Sequence, residues 1–277
     1  MAGALSRAGR EVTLIVRPDA LAHHPHALHV DSATFGQFTA PVRVAASLDD
    51  PVDAVWVTVK ATQLEAAVQS MTRDQLGSGV VVPLLNGIDH VNLLRQRYGH
   101  DRVVPGTIRV ESERRGPGRI AHLSPFVMVE LASGLALCAE LREAGVACAL
   151  ADDEATMLWQ KLVLLAPMAL ATAASGHDVG GVRGDPTWRR RLEAAADEAC
   201  AVAAAEGATV DAGAMKELLL ERMPGNMRTS MQKDIESRRP PELDAIAGPI
   251  LRVGAAHGID TPATRELAAL VEVRTRA

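Results

Sequence analysis

"DAVWVTVKATQLEAAVQSM", residues 53–71, decides the fold class. Residues 54–59 form a nearly continuous apolar run, which predicts a strand buried on both faces. The period then changes, and Leu64, Ala67, Val68 and Met71 recur at helical spacing on one face. The unit repeats in "GVVVPLLNGIDH", residues 79–90, a second Val-rich run that ends at Asn86–Gly87 and leads into a helix over about 89–98. Val-rich strands alternating with amphipathic helices predict a parallel sheet covered on both faces.

Working outward, "MAGALSRAGREVTLIVRPDA" begins with a helix over residues 2–8. Gly9 stops it, supplying the positive φ that follows a last turn. Residues 11–17 then alternate as a strand. Short strand-like runs follow at 28–31, 37–39 and 42–45. Later runs at 102–111, 119–123 and 126–131 read as strands completing the sheet. From Asp152 onward the chain reads as helices, at 152–174, 187–206, 211–222, 228–238, 242–257 and 262–273. The expected organisation is an α/β, doubly wound domain over residues 1–150 and an all-α domain over 151–277.

The composition fits two packed domains. Of 277 residues, 48% are apolar and only 3% aromatic, so the cores are built from Ala, Leu and Val. A net charge of −5 gives no electrostatic case for nucleic acid, and the basic groups Arg114–Arg115, Arg189–Arg191 and Arg238–Arg239 read as solvated faces. Three cysteines without metal-type spacing suit a reducing compartment. No signal-type apolar stretch opens the chain, and a cytoplasmic location is expected. The apolar stretch 162–174 is short for a membrane span and reads as a buried helix. "HHPHALH", with His23, His24, His26 and His29, spans a Pro-broken loop without acidic or Cys partners and reads as surface rather than a metal site.

In open α/β folds ligands bind at the carboxyl ends of the parallel strands, and Arg17, Lys60 and Asn86 each stand at such an end. An acid at the position of Arg17 would take the 2′-hydroxyl of NAD. An arginine offers a fork for the 2′-phosphate of NADP. Each of the three is also an ordinary strand-end polar residue, and "LLNG" alone is a turn signal. Lys161 in "LWQKLVLLAPMALATAASG" is a lone charge ahead of a long apolar run, readable as a proton donor facing a cleft or as a snorkelling lysine. Ser230 reads as a cap for its helix. Glu242, after Pro240–Pro241, reads as a first-turn acid that complements the helix dipole.

Taken together, "GREVTLIVR", "VTVKATQ", "LLNGIDH", "LWQKL" and "TSMQKDIESRRPPELDAIAGPILRVGAAHGIDTP" resemble the ketopantoate reductase family over essentially the whole chain. The resemblance implies a Rossmann domain followed by a helical domain, with the active site in the cleft between them. It implies NADPH as cofactor and a small 2-oxo acid as substrate. Residue by residue, it implies Lys161 as the general acid and Arg17 on the NADP 2′-phosphate. Lys60 and Asn86 would contact the cofactor, and Asn86 also the substrate. Ser230 would bind the substrate's carboxylate end, and Glu242 would complete the cofactor and catalytic network.

Two departures qualify these expectations. The family's first strand and glycine-rich loop have no counterpart, so the working protein is expected to be longer than this sequence. The family's pocket asparagines are replaced by Leu165, Ala169 and, at about this position, Val179, so the expected substrate is a 2-oxo acid or related ketone with a more apolar body. The alternative reading is a cofactor-incompetent relative acting as a structural or regulatory binding protein. Apolar faces on the last helices are compatible with a homodimer.

Overall fold

A computed structural model describes residues 1–276 and separates the chain into two compact units. The first comprises residues 1–59, 63–85 and 93–154; the second comprises residues 60–62, 86–92 and the chain from Ala155 onward. The tripeptide after one strand and the seven residues after another therefore count with the helical unit.

The first unit opens with α1 (Ala2–Arg7), and Gly9 follows at φ 86° as the helix stop requires. Strand β1 (Thr13–Ile15) leads into α2 (Pro18–Leu21), then β2 (Ala27–Ser32), β3 (Gly36–Pro41), β4 (Arg43–Ala45) and β5 (Ala54–Val57). Two short helices, α3 (Leu64–Val68) and α4 (Arg73–Leu76), precede β6 (Val80–Pro83). Thr72 closes a capping box with Gln75 at the start of α4. Helix α5 (Asp89–Tyr98) matches its expected bounds. Its Tyr98 is fully buried, with the hydroxyl donating to the carbonyls of Val68 and Met71.

β1 pairs in parallel with β4, and β5 in parallel with β6. Among the described residues no ladder joins the two pairs. The predicted strand over 11–17 shortens to three paired residues, because β4 offers only three partners.

Of the later runs, the one over 102–111 continues the parallel sheet only at a single bridge, Val103 to Val81 of β6, and the others pair elsewhere. The later strands are β7 (Gly106–Arg109), β8 (Ser112–Gly116), β9 (Arg119–His122), β10 (Met128–Leu131) and β11 (Ala147–Leu150). β8 and β9 form a hairpin, and β9 lies beside β2 in a mixed sheet of order β3-β2-β9-β8. The reason is chemical: "SERRG" in β8 is polar and almost wholly exposed, which a strand covered on both faces does not tolerate. β7, β10 and β11 make a third grouping. Helix α6 (Leu135–Glu143) and β11, neither anticipated, bury Cys138, Leu141 and Cys148 with Val129 and Leu131 in the core of this unit.

The second unit is helical: α7 (Glu154–Ser175), α8 (Val179–Gly184), α9 (Pro186–Ala205), α10 (Ala212–Glu217), α11 (Ser230–Glu236), α12 (Leu243–Ala256) and α13 (Pro262–Arg276). α8 was not anticipated; Asp178 caps it through the Gly181 N–H. α7 is long and apolar enough to cross a membrane, but 78% of its most apolar window is buried inside the protein. It is the central core helix of its unit, and α9, α12 and α13 bury residues against it.

Candidate active site

The residues expected at a site are brought together mainly within the helical unit. Pro240 and Pro241 end the turn after α11 and deliver Glu242 as the residue that starts α12. Glu242 is 7% exposed and does not cap its own helix. Its Oε1 accepts the Ala61 N–H at 2.7 Å, and its Oε2 accepts Asn86 Nδ2 at 3.2 Å. The dipole role expected from sequence thus gives way to clamping two distant turns. Gly87 makes the second contact possible. It lies at φ 80°, and a side chain there would collide with the Ala245 carbonyl oxygen in the first turn of α12.

Lys60 enters the same cluster through a partner that sequence reasoning did not single out. Its Nζ donates to Asp234 Oδ2 at 2.5 Å, and Arg239 Nε donates to Asp234 Oδ1 at 3.0 Å. The Asp234 side chain is 7% exposed, whereas that of Lys60 is 36% exposed and that of Arg239 59%. The signal was present in "SMQKD": Asp234 stands four residues after Ser230, on one helix face.

Ser230 is exposed and is the first residue of α11 rather than its cap. Thr229 takes the capping role, with its hydroxyl accepting the Gln232 N–H at 3.4 Å and meeting Thr172 Oγ1 at 2.9 Å. The backbone decides which hydroxyl caps: Thr229 is extended at φ −79°, ψ 158°, the conformation that lets a hydroxyl reach back into the first turn.

Lys161 is half-buried on α7. Burial, and after it the charge of Lys161, pushes the pKa of the His90 imidazole down to about 4, well below the usual histidine value. Lys161 thus lies within electrostatic range of the turn that carries Asn86. His90 is 5% exposed, and its Nε2 has no hydrogen-bond partner. Ile88 of the same turn packs on the α7 core, and Asp89 pairs with Arg252 of α12.

Arg17 belongs to the other unit. It stands just after β1 at the start of α2, its side chain 82% exposed and, among the described residues, in long contact with Asp19 at 3.9 Å. Of the replaced pocket positions, Leu165 is half-buried against the main helical core, and Ala169 lies fully inside it. Val179 is buried with Met168, Ala196 and Leu219 in a smaller cluster.

Residues 1–130 match the family described as ketopantoate reductase PanE/ApbA, and residues 154–275 match its C-terminal domain. The chain belongs to this family. The 2-dehydropantoate 2-reductase of Caulobacter vibrioides is 31% identical over 255 residues, covering 85% of this chain and 83% of that one. The crystal structure of a PanE/ApbA family ketopantoate reductase from Ralstonia eutropha JMP134 superimposes with a TM-score of 0.88 at 28% identity, covering 99% of this chain and 94% of that one. D-mandelate dehydrogenase, solved with NADH and anilino(oxo)acetate, shares the fold at a TM-score of 0.85 and 23% identity, covering 99% of this chain and 94% of that one. The family is one of oxidoreductases acting on 2-oxo acids, and the order of sheet domain then helical domain is the family's own.

Proposed function

We propose that this protein reduces the ketone of a 2-oxo acid, with NADPH as the hydride source and Lys161 as the proton donor. The observation that carries the reading is the Glu242 clamp. One buried carboxylate gathers the turn after Lys60 and the amide of Asn86, while Asp234 holds Lys60 itself. Three residues that the family resemblance gives to cofactor and catalysis are thereby drawn into one cluster.

Arg17 and Asn86 each suit one part of a nicotinamide cofactor. Arg17 presents an exposed guanidinium, suited to a 2′-phosphate, just after a parallel strand. Asn86 spends its Nδ2 on Glu242 and keeps Oδ1 as an acceptor for a carboxamide. When bound, the cofactor supplies hydride to the carbonyl carbon. The side chains do the rest. Lys161 gives its ammonium proton to the ketone oxygen, so the product is a secondary alcohol and the neutral amine regains its proton from solvent. Glu242 fixes the Asn86 amide, and Ser230 stands exposed for the substrate's anionic end.

The apolar side chains at Leu165, Ala169 and Val179 offer no hydrogen bond to a hydroxylated substrate, which favours a 2-oxo acid with an apolar body. A homodimer belongs to the same reading. D-mandelate dehydrogenase was solved with NADH, so both cofactors enter the test. A panel of 2-oxo acids is assayed by NADPH and NADH oxidation in wild type and Lys161→Ala. The expected result is turnover with NADPH preferred and a loss of roughly 10²–10⁴ in rate for the variant. An unchanged rate in Lys161→Ala removes Lys161 from the mechanism. Absence of both cofactor binding and turnover overturns the enzymatic reading.

A further inference from the structure

Asp234 is the buried centre of a group of three charges. One cation is enough to neutralise a buried carboxylate, and Lys60 does so at 2.5 Å. Arg239 is therefore a second cation on a carboxylate already paired. The exposure is graded in the same sense: the carboxylate is buried, whereas both cations reach solvent, Arg239 most of all.

The backbone is arranged to put Arg239 there. Arg238 sits at φ 53°, the one non-glycine residue with positive φ among those described. The turn closes α11 with the Arg238 N–H donating to the Ile235 carbonyl at 2.9 Å and the Arg239 N–H to the Asp234 carbonyl at 2.8 Å. Glycine is the residue usually found at such a position. With this turn, both the backbone and the side chain of Arg239 are tied to Asp234. Asp234 takes only Nε, which leaves the two Nη groups of a planar fork. Ser230 is one helical turn before Asp234 on the same face of α11, and it is exposed.

We propose that Arg239, oriented by Asp234, binds the carboxylate of the 2-oxo acid substrate together with Ser230. This rests on the reductase reading above. A guanidinium fork takes a carboxylate in a bidentate pair.

The test compares wild type, Arg239→Gln and Arg239→Lys on three readouts: steady-state kinetics with a branched 2-oxo acid, kinetics with its neutral 2-oxo amide, and calorimetric titration of oxamate. Arg239→Gln is expected to raise KM for the acid roughly 10- to 100-fold with kcat little changed, and to weaken oxamate by a similar factor. The amide KM and the NADPH affinity are expected to stay put. Arg239→Lys, which keeps charge but not the fork, is expected to fall between and covers the case in which the glutamine variant fails to fold. An unchanged acid KM, an equal loss with the amide, or a loss falling on NADPH overturns the assignment and leaves the reductase reading standing. A wild type that neither turns over nor binds oxamate overturns both. Arg239-dependent oxamate binding without turnover supports Arg239 and counts against the reductase reading alone.

Discussion

Glu242→Ala removes a buried acceptor that serves two donors from distant parts of the sequence. The Ala61 N–H at 2.7 Å is the stronger bond and the Asn86 amide at 3.2 Å the weaker. Hydrogen bonds to charged groups contribute about 1.5–3 kcal/mol each, and the longer one belongs at the low end or below. Part of the sum is returned, because the variant no longer buries a carboxylate and water reaches the half-buried Ala61 N–H. The net expectation is a loss of about 2–3 kcal/mol, a fall in Tm of roughly 5–10 °C for a unit of this size. Glu242→Gln is expected to cost only about 1 kcal/mol, since its amide oxygen keeps Ala61 and a rotation of Asn86 presents Oδ1 to the new NH2. Urea unfolding followed by far-UV circular dichroism gives both values. A double-mutant cycle with Asn86→Ala isolates the second bond, for which about 1 kcal/mol of coupling is expected. Coupling below about 0.3 kcal/mol would mean that Glu242 and Asn86 are neighbours without being partners, and the clamp argument would fall.

Arg238→Gly is expected to stabilise by about 1 kcal/mol, because glycine adopts φ 53° without the clash of a Cβ; a Tm no higher than wild type would show that the left-handed turn is not strained. His90 makes stability depend on pH. Its folded value of about 4 lies below the ordinary 6.5, so between these limits the unfolded chain binds a proton that the folded chain refuses. The stability tied to neutral His90 is therefore complete above about pH 6.5 and lost as pH falls toward 4, about 2 kcal/mol between pH 7 and 5. Urea midpoints at the two pH values, in wild type and His90→Leu, measure it; an equally steep dependence in the variant would place the effect elsewhere.

What the sequence made legible was whatever depends on near neighbours. Helix α5 was placed to the residue, and the positive φ of Gly9 followed from the helix before it. The burial of α7 followed from the uncharged apolar stretch 162–174. Pairing was not legible, because a strand's partner is chosen by the whole chain. "RIAH" at β9 reads the same whether it joins the parallel sheet or lies beside β2, and only the polar β8 next to it argued for the latter.

The site divides on the same line. Lys60, Asn86 and Glu242 could be singled out as candidates because each stands at the end of a recognisable element. Asp234, Arg239 and His90 were missed because their meaning lies in contacts across the sequence: 174 residues separate Asp234 from Lys60. Thr229 and Ser230 show how fine the distinction becomes. Two adjacent hydroxyls carry the same propensity for an N-cap, and only the backbone decides which of them turns inward to Gln232 and Thr172. The residue released from capping is the exposed one, and it shares a helix face with the carboxylate that holds Lys60 and Arg239. A hydroxyl freed from a structural duty, beside two cations on a neutralised acid, is an arrangement with binding capacity left over. For that reason the anionic end of the substrate is sought there rather than along the apolar flank of α7.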